Sequence, residues 1–238
     1  MNCDITIPDN AVKYIFFQRT AYLVIPKNIF YKKLKKLSPW SFYNFIVALE
    51  AAFRKRSVRR LFNEDMIAEY EIIKAHLPNN CSKILDIGCG VAGIDILLHR
   101  HYACDGNLAF YLLDKTIVDK KVYYLFEKEG SFYNSLELAK EILVKNGIPK
   151  ENIHLLEVPS DYKIYTEPGF DLVISLLSWG FHYPVSTYLE QVYDLLREGG
   201  YLIIDIRRGS GGEKELGQRF KSVEIIWKDK ALRVLAKK

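Results

Sequence analysis

Two hydrophobic periods run along this chain, and the places where one gives way to the other mark its elements. Residues 83–87 form an apolar run (Ile84, Leu85, Ile87) of the kind a strand carries when both faces are buried. Gly88, Gly90 and Gly93 follow, and then Ile94, Ile96, Leu97 and Leu98 at helical spacing. That helix closes on His99-Arg100-His101-Tyr102, whose cations suit the negative end of its dipole. Further strands are predicted over 108–113 with Asp114 at the end, over 153–158, 171–177 and 201–206. A strong amphipathic helix is predicted over 131–145, with Ser131 as N-cap and Asn146-Gly147 as stop. Another is predicted over 187–196, stopped by Gly199-Gly200. The last apolar runs, 223–227 and 231–235 about a turn near Asp229, read as a β-hairpin.

Residues 11–75 read as mainly helical. Ser38-Pro39-Trp40 has an N-cap and a proline at the first helical turn. A second helix is predicted over 63–77, ending at Pro78-Asn79-Asn80. The chain therefore divides into a helical cap, residues 1–80, and an α/β unit, residues 81–238. Alternating strands and helices predict a mostly parallel, Rossmann-like sheet with helices on both faces. Right-handed crossovers then bring the loops after the strands to one edge, where a ligand must sit.

The composition changes this picture little. With 238 residues, 49% hydrophobic and 26% charged, the chain can bury a core as one domain or one with an appendage. No apolar run approaches the ~20 residues of a membrane span, and MNCDITIPDN carries neither basic nor apolar leader regions. Four cysteines (Cys3, Cys81, Cys89, Cys104) show no CxxC and no metal-ligand spacing. They read as reduced residues of a cytoplasmic protein. The net charge of +5 is uneven: residues 1–80 hold 13 Lys+Arg against 7 Asp+Glu, and the remainder 21 against 22. The excess lies in Lys32-Lys33-x-Lys35-Lys36 and Arg54-Lys55-Arg56-x-x-Arg59-Arg60. It is either a solvated helix face or a surface for an anionic partner: a phosphate, an acidic glycan, a peripheral membrane contact or nucleic acid.

Strand, glycine turn and helix together make a nucleotide-cofactor loop, because glycines let the backbone approach a ligand closely. Gly88-x-Gly90-x-x-Gly93 also fits the dinucleotide fingerprint, so NAD stays open on spacing alone. Asp86 bears on the choice. A carboxylate two residues before the first glycine repels a pyrophosphate and suits an ammonium or sulfonium. Asp114 closes the second strand, where an acid can accept ribose hydroxyls. Each piece also has a plain reading, a packed turn or a helix cap.

Asp-x-Gly-x-Gly followed by an acid closing the second strand resembles the class I S-adenosylmethionine (SAM) dependent methyltransferases over residues 80–238. The resemblance implies that Asp86, Gly88, Gly90 and Gly93 hold the methionine end of SAM and that Asp114, with Lys115 beside it, holds the ribose. It places Ser160 and Asp161 near the adenine and counts Leu176 with the cofactor residues; Asp161 as a turn cap is the alternative. A reversed final strand beside strand five is a mark of that family.

The loop predicted over 178–184, SWGFHYP, faces the methyl group in such a fold. His182, near its unperturbed pKa of about 6.5, is a candidate general base for a hydroxyl; a backbone-bonded histidine before Pro184 is the alternative. Trp179, Phe181 and Tyr183 would offer apolar faces to an acceptor. The loop departs from the Asn/Asp-Pro-Pro-aromatic pattern of amino-directed methyltransferases. Arg207 and Arg208 end strand five and suit a phosphate or carboxylate, unless they pair with Glu213 or Glu215. No carboxylate/His cluster specifies a metal.

ILDIGCGVAGIDILL, YLLDKT, SFYNSLELAKE and SWGFHYP…YLEQVYDLLREGGYLIIDIRRG resemble bacterial sugar O-methyltransferases of capsule or lipopolysaccharide biosynthesis. That likeness, over residues 82–208, implies a saccharide hydroxyl on a nucleotide-sugar or glycan as acceptor. Rival readings are an RNA methyltransferase, against which no RNA-binding module is visible, a non-enzymatic SAM-binding protein, and a NAD-dependent enzyme.

Overall fold

The computed structural model describes residues 4–24, 39–102, 107–116 and 135–238. Cys3, Cys104, the lysine run at 32–36, Ser38 and Ser131 lie outside the described residues. Helices α1 (Val12–Gln18), α2 (Pro39–Phe53) and α3 (Lys55–Ile73) precede β1 (Lys83–Ile87) and α4 (Gly93–His101). Then come β2 (Ala109–Asp114), α5 (Leu136–Lys145), β3 (Ile153–Glu157), β4 (Phe170–Ser175) and β5 (Ser178–Tyr183). The chain continues through α6 (Leu189–Leu195), β6 (Leu196–Arg207), α7 (Gly212–Arg219), β7 (Ser222–Lys228) and β8 (Ala231–Lys237).

Seven strands make one sheet in the order β3-β2-β1-β4-β6-β8-β7. Pairings from β3 across to β6 are parallel, and β8 runs antiparallel to both β6 and β7. Because side chains alternate across a strand, each central strand feeds two cores. Ile84, Phe110, Leu112, Leu172 and Ile174 pack on one side with Phe62 and Met66 of α3, Ile96 and Leu98 of α4 and Ile142 of α5. Leu85, Ile87, Leu113, Val173 and Ile204 pack on the other with Val192 of α6, Leu216 of α7 and Trp179 of β5. The N-terminal Val12, Ile15 and Phe16 are fully buried in the first of these cores.

Polar contacts fix the strand ends. Asp171 accepts from Ser82 N, Ser82 Oγ and Lys83 N at 2.8, 2.9 and 3.0 Å, which ties the start of β4 to the start of β1. Ser175 Oγ donates to Ile87 O at 2.8 Å and accepts from Trp179 N at 3.0 Å. Asn146, the predicted stop of α5, also accepts from Thr6 N and donates to Thr6 O, at 2.9 and 3.0 Å.

The structure departs from the pattern-based reading in five places. α5 starts at Leu136, and Ser135 rather than Ser131 caps it, accepting from Leu138 N at 3.4 Å. α3 reaches back to Lys55, so residues 55–60 of the basic run are helical and Arg54 is the N-cap. Residues 178–183 form a short strand and not a loop. The helix predicted over 187–196 is a 3-10 turn, Val185–Thr187, followed by the shorter α6, and Gly199-Gly200 falls inside the long strand β6. α7 was not predicted: its GEKELGQR carries one large apolar residue, Leu216, which is buried.

Candidate functional site

A cleft opens at the carboxyl ends of β1, β2 and β4. Its walls include Asp86, Gly88, Gly90, Gly93, Asp114, Leu176, His182 and Tyr183. The turn after β1 needs its glycines for different reasons. Gly88 (φ +76°) would place a Cβ 1.8 Å from Ser178 Oγ, and Gly90 (φ +58°) would place one 2.7 Å from Gln18 Oε1. Left-handed backbone and close approach thus coincide at both. Gly93 serves helix packing: a Cβ there would lie 2.5 Å from Phe62 Cζ and 2.8 Å from Met66 Sδ.

Asp114 holds that turn. Its Oδ2 accepts from Gly90 N at 2.9 Å and its Oδ1 from Lys115 N at 2.7 Å, while Gly88 N donates to Leu113 O at 2.7 Å. Asp86 is buried at 3% exposure, and Asp95, in the first turn of α4, at 0%. Alternation along β1 puts Leu85 and Ile87 on one face and turns Asp86 to the other, toward α4. Burial, reinforced by the neighbouring charges of Asp95 and Asp114, holds the Asp86 carboxyl well above the ordinary carboxylate range. Burial also pushes Asp95 up. Neither oxygen of Asp95 meets hydrogen-bond geometry with a described residue. Asp86 lines the cleft, and a cation arriving beside it would favour its ionised form.

His182 lies across the cleft at the end of β5, its ring edge-on to Phe181 at 5.2 Å. Burial, and then repulsion from Arg207, pull its pKa down to about 4. The expectation of an unperturbed histidine is thus corrected: the ring is neutral at pH 7 and a weak base. Among the described residues its nitrogens meet no hydrogen-bond partner, so it does not hold the turn before Pro184.

Several predicted residues lie elsewhere. Trp179 is fully buried, and its indole N–H donates to Val185 O at 3.0 Å, so it is core and not a platform for a ligand. Phe181 sits under the Arg207 guanidinium at 5.0 Å, and Arg207 Nε donates to Phe181 O at 3.0 Å. Arg208 Nη1 donates to Asp229 O at 3.2 Å. The two arginines brace the end of β6 rather than line the cleft. Asp161 accepts from Lys163 N at 3.2 Å and from Tyr165 Oη–H at 2.9 Å, which is its turn-capping alternative. Ser160 and Lys115 are not cleft-lining residues; Val158 is. Three cations of the basic run 54–60 are held in ion pairs, while Arg56 and Arg60 are exposed. Lys55 and Arg59 pair with Asp9, and Arg54 with Glu50.

Sequence reasoning missed the roof. Phe17, Gln18, Arg19 and Thr20, with Phe62 and Met66 of α3, line the cleft from the N-terminal side, and Tyr188 lines its far wall. It also passed over Asp95, although an acid inside the apolar run IDILL was a visible signal.

The strand order, the reversed β8 and the glycine turn at the carboxyl edge make a Rossmann-like α/β fold that solved methyltransferases share. No family model matches the sequence and no curated protein does, so the comparison rests on solved structures. A Nostoc punctiforme protein provisionally described as an O-methyltransferase superposes with TM-score 0.52 at 17% identity, over 73% of this chain and 57% of that one. A 16S rRNA methyltransferase of T. thermophilus, solved with AdoMet and guanosine, gives 0.50 at 13%, over 73% and 42%. Precorrin-6y C5,15-methyltransferase of Geobacter metallireducens gives 0.50 at 14%, over 74% and 87%. The chain thus spans about half the length of the first two. Identities this low establish the fold. Among the described residues no helix is long and apolar enough to cross a membrane.

Proposed function

We propose that this chain is a SAM-dependent O-methyltransferase whose acceptor is a saccharide hydroxyl, on a nucleotide-linked sugar or a surface glycan. One observation carries the reading: a single cleft joins an acid-backed glycine turn, suited to a cationic cofactor, to a neutral imidazole. The donor set fits SAM. Asp86 supplies negative charge for the ammonium and sulfonium, and Asp114, at the end of β2, supplies acceptors for ribose hydroxyls. A structure of this fold, the rRNA enzyme, was solved with AdoMet. The sequence likeness to sugar O-methyltransferases is what points to a saccharide.

Bound SAM supplies an activated methyl group whose leaving group is a neutral thioether, so no acid is required. The protein's part is alignment and removal of the hydroxyl proton. His182, neutral at working pH, takes that proton on a ring nitrogen. Its low basicity, and Arg207 behind it, mean that it accepts only as the hydroxyl acidifies in the transition state. Phe62, Met66 and Tyr188 line the cleft and would help to keep water out of it. With Arg207 and Arg208 tied into the fold, the acceptor need not be anionic.

The test is methyl transfer from labelled SAM across neutral and nucleotide-linked sugars, glycans and RNA. Label is expected on saccharide. Label on RNA alone overturns the acceptor, and failure of the protein to bind S-adenosylhomocysteine overturns the cofactor.

A further inference from the structure

The cleft carries one cation that neither the glycine turn nor the proton transfer uses. Arg19 follows directly on α1, and it is the one Lys or Arg among the described residues lining the cleft. Its place is fixed from two sides. Its neighbour Gln18 packs over the glycine turn, Oε1 being 2.7 Å from where a Gly90 Cβ would stand. The Arg19 Nη1 bonds Asp65 Oδ2 at 3.3 Å, and the same Asp65 oxygen accepts from Tyr22 Oη–H. Asp65 stands next to Met66, which packs against Gly93 at the start of α4. Arg19 therefore lines the cleft next to the residue that covers the glycine turn, with its side chain 21% exposed. Exposure of the pairing Asp65 side chain, at 43%, leaves that ion pair screened and weak.

A cofactor with an amino-acid end brings two opposite charges to this spot. Asp86 meets the requirement of the ammonium, and the α-carboxylate needs a cation of its own. An unpaired carboxylate in a half-closed cleft costs more than a hydrogen bond returns. A planar guanidinium already held by a neighbour is the matching donor. We infer that Arg19, delivered by the N-terminal helices, binds the α-carboxylate of the cofactor's methionine end, so that Asp86 and Arg19 together read a zwitterion. The inference rests on the SAM reading above. It gives the N-terminal segment a direct role in cofactor recognition.

The experiment compares calorimetric binding of SAM and of decarboxylated SAM, which keeps the ammonium and sulfonium and lacks only the carboxylate. Wild type is expected to prefer SAM by about 10–100-fold. In Arg19→Ala that preference should collapse to within a few-fold, with decarboxylated SAM bound as in wild type, which also shows the variant to be folded. Should Arg19→Ala fail to fold, Arg19→Lys decides: charge without the fork should lower the preference severalfold. A preference unchanged by either substitution overturns the inference, as does a wild type indifferent to the carboxylate. Wild type binding neither compound overturns the SAM reading itself.

Discussion

Asp205 and Arg233 face each other across β6 and β8 as a buried bidentate pair, with Nε–Oδ1 and Nη2–Oδ2 both at 2.8 Å. Asp205 Oδ2 also accepts from Leu177 N at 3.1 Å, and Arg233 Nη1 lies 2.5 Å from Glu69 Oε2 on α3. One charge chain thus links the cap helix, the sheet and the cleft loop, where Leu177 sits at φ 54°. Removing one partner leaves an uncompensated buried charge. Arg233→Met should cost about 3–5 kcal/mol in urea unfolding. Asp205→Asn, which can still accept from Leu177 N, should cost less. Equal and small losses for both would show that the pair is dispensable.

The Asp86 carboxyl gives cofactor binding a pH dependence with a definite sign. Its pKa is raised in the free protein, and a cation beside it favours the ionised form, so binding expels a proton. Affinity should therefore climb with pH, at up to about tenfold per unit, until the raised pKa is passed. Calorimetry in buffers of different ionisation enthalpy reads the released proton directly. Asp86→Asn should bind more weakly and respond little to pH. The apo protein shows the opposite face of this linkage. Unfolded carboxyls ionise first, so stability contributed by the protonated Asp86/Asp95 pair is lost as pH rises through the raised values.

Asp114→Ala should weaken S-adenosylhomocysteine binding by about 1–3 kcal/mol through lost ribose bonds. Because Asp114 also holds Gly90 N and Lys115 N, part of that loss comes from a loosened turn. Asp114→Asn keeps one acceptor and should fall between. Unchanged affinity in both variants would remove the residue from the cofactor site.

His182→Ala should lower turnover about 10²–10⁴-fold while cofactor affinity stays near wild type. With its pKa near 4, His182 should leave no inflection in kcat/KM at about 6.5, the unperturbed value. An inflection at that pH that vanishes in His182→Ala would mean that the ring is far less desolvated than its surroundings imply.

β1, its glycine turn and α4 were legible because an apolar run, three glycines and a helical period stand next to one another in the chain. The alternation of apolar residues likewise gave the sheet and its terminal hairpin. Residues 178–183 misled because serine, glycine and the following proline mimic a loop. Gly180 is needed there instead for close packing along β6, a Cβ at that position lying 2.8 Å from Asp205 O. Trp179 and Arg207 show a second limit: residue type says what a side chain can do, and only the fold says which way it faces. Arg19 shows a third. It stands about seventy residues before the glycines, and nothing local signals that the α1 end will lie over them.

The placement of β8 between β6 and β7 imposes an order of assembly. β7 is made first yet meets the sheet only when β8 does, the two being one hairpin docked on β6 through β8. Glu69, made far earlier, meets Arg233 only at that moment. The ion pair from α3 to the sheet therefore waits for the last strand, and a nascent chain stalled before residue 231 should expose the β6 edge to pairing with other chains.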